Sequence, residues 1–151
     1  MQPDWERANF KNAQDYATAL ATLYETIGML QNSWGYELKK IRIFPGSESS
    51  WAYWFKDQIN FGMKGLADPW YTRYKEYPRV RYLLGEINLW HKNGARALAS
   101  HEFAHVIVEI TNLSKKEISH GKAFHEVYSL MLDQMFEIGA YERYKSKFGL
   151  V

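Results

Sequence analysis

The residues of this chain best suited to chemistry are two histidines and a glutamate in the run His101-Glu102-Phe103-Ala104-His105. At 100° per residue, helical positions four apart lie about 40° from each other, so both imidazoles can bind one metal ion from the same face. Glu102 lies about 100° round the helix from His101, where its carboxylate can reach a water on that metal without being a ligand. This spacing predicts a catalytic zinc site with Glu102 as general base.

A catalytic zinc ion needs a third protein ligand and one open position. The last predicted helix carries an apolar stripe, formed by Phe124, Val127, Tyr128, Met131, Met135 and Ile138. His120 precedes Phe124 by four residues, so it falls on this stripe and points at whatever the helix packs against. A histidine on a core-facing stripe is usually a hydrogen-bonded core residue, but beside the first motif the ligand interpretation is favoured.

Two other side chains of the last helix compete for the third ligand position. His125 lies about 140° round the helix from His120, and Glu126 lies about 120° off the apolar stripe. Both should therefore face away from the metal. The sequence predicts one Zn²⁺ ion per chain, bound by His101, His105 and His120.

The alternative for the first motif is an ordinary amphipathic helix that happens to carry two histidines. The surrounding sequence, 97–110, is apolar nearly all round the helix. Burying two histidines and a glutamate there would be costly unless they bind something. This argument, together with the third histidine, favours the metal site.

The elements that must position these residues follow from periodicity and turn signals. The predicted elements are a helix over 4–32, short strands over 38–44, 51–55, 59–63 and 83–90, a helix from 95 to about 112, and a helix over 119–145. A helix, short strands and then two helices predict an α+β fold with a small mixed or antiparallel sheet.

Length and composition restrict the class of protein. The chain has 151 residues, the size of one compact domain, so a single domain over 1–151 is predicted. There is no cysteine, which excludes a disulfide framework and a zinc ribbon and fits an intracellular protein. No apolar run approaches the ~20 residues of a membrane span, and the N-terminal residues do not have the pattern of a signal peptide. We therefore expect a cytoplasmic protein with no membrane partner.

The sequence resembles the SprT-like zinc metallopeptidase domain, which is also found in Spartan proteases. The resemblance rests on the strand 85–90, on the helix with Ser100-His101-Glu102-Phe103-Ala104-His105, and on His120-Gly121-Lys122-Ala123-Phe124, which looks like the family's H-G-x-x-F signature. It implies a zincin-like fold and an endopeptidase that acts on proteins, including proteins associated with DNA. It also implies that the three histidines bind zinc and that Glu102 is the catalytic base.

Two further stretches are candidates for binding. The predicted strand before the metal helix is either the sheet edge along which an extended substrate adds or a purely structural strand, and its candidate residues are Glu86, Ile87, Asn88 and Leu89. The stretch 70–82 mixes aromatic rings with cations, a pattern that can bind nucleic acid through Arg73, Lys75, Arg79 and Arg81. For this second stretch we favour the structural interpretation, in which the rings fill the core and the cations face water.

Three classes of function remain after this reasoning. The first is a zinc-dependent endopeptidase. The second is a nucleic-acid-binding module with a structural zinc site, and the third is a degenerate peptidase fold used for protein interaction. Glu102 argues for the enzyme, because a structural site needs no general base and usually fills its fourth position.

Overall fold

The computed structural model describes residues 1–68, 90–111 and 120–135. Its helices are α1 (Asp4–Arg7), α2 (Ala13–Trp34), α3 (Trp90–Ile110) and α4 (Lys122–Met135). Its strands are β1 (Lys40–Phe44), β2 (Trp51–Tyr53) and β3 (Gln58–Gly62), and short 3-10 turns follow β2 and β3. The described part is therefore α+β, as predicted, with an N-terminal helix, a small sheet and a helix that carries the first motif.

The predicted first helix is divided into two. Asn9 takes a left-handed conformation with φ of 64°, which interrupts the helix after α1. The side-chain oxygen of Asn12 then accepts a hydrogen bond of 2.8 Å from the backbone N–H of Asp15 and caps the start of α2. At the other end Gly35, with φ of 66°, terminates α2. The prediction of one continuous helix over 4–32 was wrong at the break between Arg7 and Ala13.

The helix that carries the first motif extends further towards the N-terminus than predicted. The segment from Trp90 to Gly94 is helical, so Trp90 does not belong to the predicted strand over 83–90. Asn93 and Gly94 precede the predicted start of the helix at 95, but both are buried inside α3. The Asn93 carboxamide oxygen accepts a hydrogen bond of 3.2 Å from Arg96 Nη1, one turn on. Packing and this local bond override the turn preference of the two residues.

The three strands form a mixed sheet in the order β1-β3-β2. β1 pairs parallel to β3, and β2 pairs antiparallel to β3. Because side chains alternate along a strand, one face of the sheet carries Ile41, Ile59 and Ala52, and Ile59 is fully buried in the core. We call the opposite face the outer face; its side chains are those of Lys40, Arg42, Phe44, Trp51, Tyr53, Gln58 and Asn60.

The end of β3 is covered by the loop that leads into β2. A Cβ atom at Gly62 would collide with the carbonyl oxygens of Ser47 and Ser49, so only glycine fits at this position. The buried Ser50 hydroxyl accepts a hydrogen bond of 3.0 Å from the Gly62 N–H. This close contact holds the loop against the sheet.

Helix α3 lies at the centre of the described structure. It packs against α2, α4, β2 and the two 3-10 turns, and 14 of its 21 residues are buried. Helix α4 buries its apolar stripe, as predicted, through Phe124, Val127, Tyr128 and Met131. Among the helices in the described ranges, none has the length and apolar character needed to cross a membrane. Because α3 is packed at the centre, the face that carries the first motif has a fixed orientation.

Candidate metal centre

His101 and His105 lie on the same face of α3, as helical spacing requires. Their ring centroids are 4.9 Å apart and the rings are nearly perpendicular. The side chain of His101 is fully buried, whereas His105 is half-buried. The side of α3 that carries these two histidines therefore reaches from the core towards the surface.

His120 completes the group from the turn that precedes α4. Its Nε2 atom lies 3.1 Å from Nε2 of His105. One ligand nitrogen from each of His101, His105 and His120 lies within 4.8 Å of the other two, close enough to bind one metal ion. The structure thus brings together the three histidines that the sequence selected.

The chemistry of this donor set fits zinc. Two nitrogens that bind one tetrahedral zinc ion at 2.0–2.1 Å lie about 3.3 Å from each other, close to the distance between His105 and His120. Two imidazole lone pairs repel at this distance unless a proton or a metal cation lies between them. The pair can therefore share either a proton or a metal cation.

Phe124 supports the ring of each histidine. It is 1% exposed, and its ring stacks on His105 with centroids 4.4 Å apart and planes 21° apart. It also contacts His101 at 5.0 Å and His120 at 4.9 Å. A single buried ring in the first turn of α4 therefore restricts the orientation of all three imidazoles.

Tyr128 is a neighbour of the site that sequence reasoning did not select. Its ring contacts His101 edge-on at 5.4 Å, and its hydroxyl donates a hydrogen bond of 3.3 Å to the backbone oxygen of Ala97. This bond joins α4 to α3 one turn before His101. Its position one turn after Phe124 on the apolar stripe was the only sequence signal for this contact.

Glu102 lies next to the histidine group and is almost completely buried, with 2% exposure. Its Oε1 atom is 3.9 Å from Nε2 of His101, which is too far for a direct hydrogen bond. A third atom between the two could contact both. The carboxylate thus lies beside the histidine group without belonging to it.

The competing side chains lie elsewhere. His125 and Glu126 are both exposed on α4, and the Glu126 carboxylate is 4.0 Å from the Lys122 ammonium. His91, near the start of α3, places its Nδ1 3.0 Å from the backbone oxygen of Leu66. Its Nε2 lies 3.5 Å from the Asp15 carboxylate. None of these three residues belongs to the group that could hold a metal ion within the described ranges.

The remaining predicted site residues lie outside the described residues. These are the candidate substrate-binding residues Glu86, Ile87, Asn88 and Leu89, and the candidate nucleic-acid-binding residues Arg73, Lys75, Arg79 and Arg81. Both predictions therefore stay predictions.

Comparison with family models, with curated proteins and with solved structures finds no match for this chain. The resemblance to the SprT-like domain accordingly rests on the motifs alone. The functional argument depends on the geometry of the site.

Proposed function

We propose that this protein is a zinc-dependent endopeptidase of the SprT-like, zincin-like class. The observation that carries the proposal is the group of three convergent imidazoles with the Glu102 carboxylate 3.9 Å from one of them. Proteins are the proposed substrates, and the resemblance extends the proposal to proteins associated with DNA.

The number of ligands favours a catalytic over a structural zinc site. Structural zinc sites are usually closed by four protein ligands, whereas catalytic sites use three and keep one position for water or substrate. In the described part of the chain the group contains three residues, His101, His105 and His120. This count supports the enzyme over a nucleic-acid-binding module with a structural zinc ion.

The mechanism assigns a distinct task to each side chain. Zinc bound by the three histidines supplies Lewis acidity and lowers the pKa of water to about 7. Glu102 Oε1 accepts the proton of a water molecule that attacks the peptide carbonyl carbon. Glu102 then returns this proton to the amine nitrogen as the C–N bond breaks, so that the peptide and one water give a carboxylic acid and an amine.

The burial of Glu102 suits this task. Glu102 is buried in α3, so we expect its carboxylate to need little reorganisation to take the proton. Phe124 and Tyr128 hold the imidazoles from α4. His101, His105 and Glu102 therefore lie on a packed helix, and His120, in the turn before α4, is supported by the Phe124 ring of that helix.

The test is the substitution Glu102→Gln, which removes the base but keeps the size of the side chain. We expect zinc content to stay at one ion per chain and cleavage of casein, assayed with and without DNA, to fall about 100-fold or more. Glu126→Gln, on the exposed face of α4, is the control and should cleave like the unchanged protein. Undiminished cleavage by Glu102→Gln would overturn the proposal.

A further inference from the structure

The outer face of the sheet combines three kinds of side chain in ordered rows. The register aligns Arg42 on β1 with Asn60 on β3 and Trp51 on β2. The neighbouring row aligns Lys40, Gln58 and Tyr53 in the same order. Each row therefore runs from a cation through an amide to an aromatic ring.

The cations stand at one side of this face. Lys40 and Arg42 are both exposed on β1. The Arg42 guanidinium lies over the ring of Phe44, 5.1 Å from its centroid, and this cation–π contact holds it in place. Two strand spacings, about 9.5 Å, separate β1 from β2. The positive charge and the rings of β2 can therefore contact different parts of one ligand.

The aromatic rings stand at the other side. Trp51 is 60% exposed although it is among the largest apolar side chains of the protein. Trp54 and Phe55 continue the aromatic surface beyond β2, with exposures of 43% and 63%. The Lys56 ammonium lies 5.8 Å from the centroids of both Tyr53 and Phe55. The Phe55 ring contacts those of Tyr53 and Trp54, and a contiguous exposed apolar patch of this kind is a candidate binding surface.

The amides lie between the cations and the rings. The Gln58 side-chain nitrogen donates a hydrogen bond of 2.6 Å to the Asn60 side-chain oxygen, which orients both groups. Amide side chains can pair with the hydrogen-bonding edges of nucleobases. A lipid bilayer, in contrast, offers no matching hydrogen-bonding edges to a row of oriented amides between rings and cations.

We propose that the outer face binds single-stranded nucleic acid. Lys40 and Arg42 neutralise phosphates, Trp51 and Tyr53 stack on bases, and the amides of Gln58 and Asn60 contact base edges. Trp51 and Tyr53 are two residues apart on one strand, about 7 Å. Duplex bases are stacked about 3.4 Å apart, so only an unpaired strand can offer separate base faces to both rings.

The inference is independent of the proposed peptidase activity, because none of the residues that carry it belongs to the metal-binding group. It also concerns a different surface from the stretch 70–82. Zinc removal and Glu102→Gln should therefore leave nucleic-acid binding unchanged. Failure of one proposal is distinguishable from failure of the other.

The first test measures the fluorescence anisotropy of labelled DNA and RNA oligonucleotides of about 12 nucleotides, within the range of known site sizes. Binding of either oligonucleotide, tighter than of the matching duplex, is expected. Trp51→Ala should weaken this binding at least about 5-fold, the lower end for loss of one stacked base. Tyr24→Ala, which removes a 47% exposed ring from α2, is the control and should bind normally. Circular dichroism checks that each variant is folded.

The second test measures how binding depends on salt. Each phosphate contact contributes about 0.7 to the slope of log affinity against log salt for single strands, so the double variant Lys40→Gln, Arg42→Gln should reduce the slope by about 1.4. The exposed pair Lys11→Gln, Lys92→Gln is the matched control and should leave the slope unchanged.

Four results would overturn the inference. They are absence of binding at low salt, equal binding by Trp51→Ala, binding to anionic vesicles without binding to oligonucleotides, and loss of binding only when Arg73, Lys75, Arg79 and Arg81 are changed.

Discussion

His105 and His120 present their Nε2 atoms to each other at 3.1 Å, although one belongs to α3 and the other to the turn before α4. Two nitrogens so close must share a proton or a metal cation, and the fully buried His101 lies beside them. Substitution of one of these two histidines is therefore the most direct test of the metal site.

We predict that His120→Ala abolishes stoichiometric zinc binding, because two imidazoles alone leave the ion without its third ligand. The metal content of the purified chain, measured by atomic absorption, should fall from one zinc ion to a small fraction of one. His125→Ala is the control, since His125 is exposed on α4, directly after the turn that carries His120, and it should keep its zinc. Retention of zinc by His120→Ala, with loss in Glu126→Ala, would show that the ligand assignment is wrong.

We predict that Phe124→Ala weakens both the fold and the metal site. Removal of a fully buried ring costs about 3–5 kcal/mol in the free energy of unfolding. Loss of the support for three imidazoles should lower zinc affinity about 10–100-fold, as for other groups that orient metal ligands. Urea unfolding and competitive zinc titration measure the two effects. Phe55→Ala, at a 63% exposed ring, should change stability by less than about 0.5 kcal/mol.

We predict opposite effects for two Gly→Ala substitutions. Gly62→Ala should destabilise the protein by about 1–3 kcal/mol, because its Cβ collides with the backbone of Ser47 and Ser49. Gly28→Ala lies inside α2, where the new methyl group meets no atom within 4 Å, and should stabilise by about 0.5–1 kcal/mol. Thermal unfolding of the pair compares them directly. An equal change in melting temperature for both would contradict the close contact at Gly62.

We predict a loss of stability at alkaline pH that depends on Tyr16. Burial, and secondly the Asp4 carboxylate, raise the pKa of the Tyr16 hydroxyl above its ordinary value of 10.0. The folded protein therefore holds this proton more tightly than the unfolded chain. The contribution is complete below pH 10 and is lost as the pH rises through the raised pKa.

The measurement is urea unfolding at a series of pH values from neutral to alkaline. Tyr16→Phe keeps the ring but has no proton to lose, so its unfolding free energy should decline less steeply above pH 10 than that of the unchanged protein. Parallel curves for the two proteins would contradict the prediction.

Much of the metal site could be predicted from the sequence because a helix has a fixed period. The four-residue step from His101 to His105 determines their common face. The apolar stripe selected His120 as the third ligand, although the structure places His120 in the turn before α4 rather than in the helix. The contacts of Tyr128 with His101 and Ala97 could not be predicted, because they depend on how α4 is placed against α3. Periodicity indicates which face of a helix is apolar, but not which element packs against that face.

The fold was predictable to a similar extent. Alternation of apolar and basic residues predicted a half-buried strand, and β1 has this pattern of burial. β1 pairs parallel to β3, although β2 lies between them in the sequence. This pairing depends on long-range contacts that alternation does not encode. The break at Asn9 did have a local signal, since Asn12 and Asp15 are typical of a helix start.

A metal bound by this group would also cross-link two helices, because its ligands come from α3 and from the turn before α4. The loop that it closes, from His105 to His120, is short, so the entropic cost of closure is modest. Depletion of the ion should release α4 in preference to the contact between α2 and α3. Amide hydrogen exchange would then accelerate in α4 while the centre of α3 stays protected. Metal supply would in this way control local opening of the molecule as well as its chemistry.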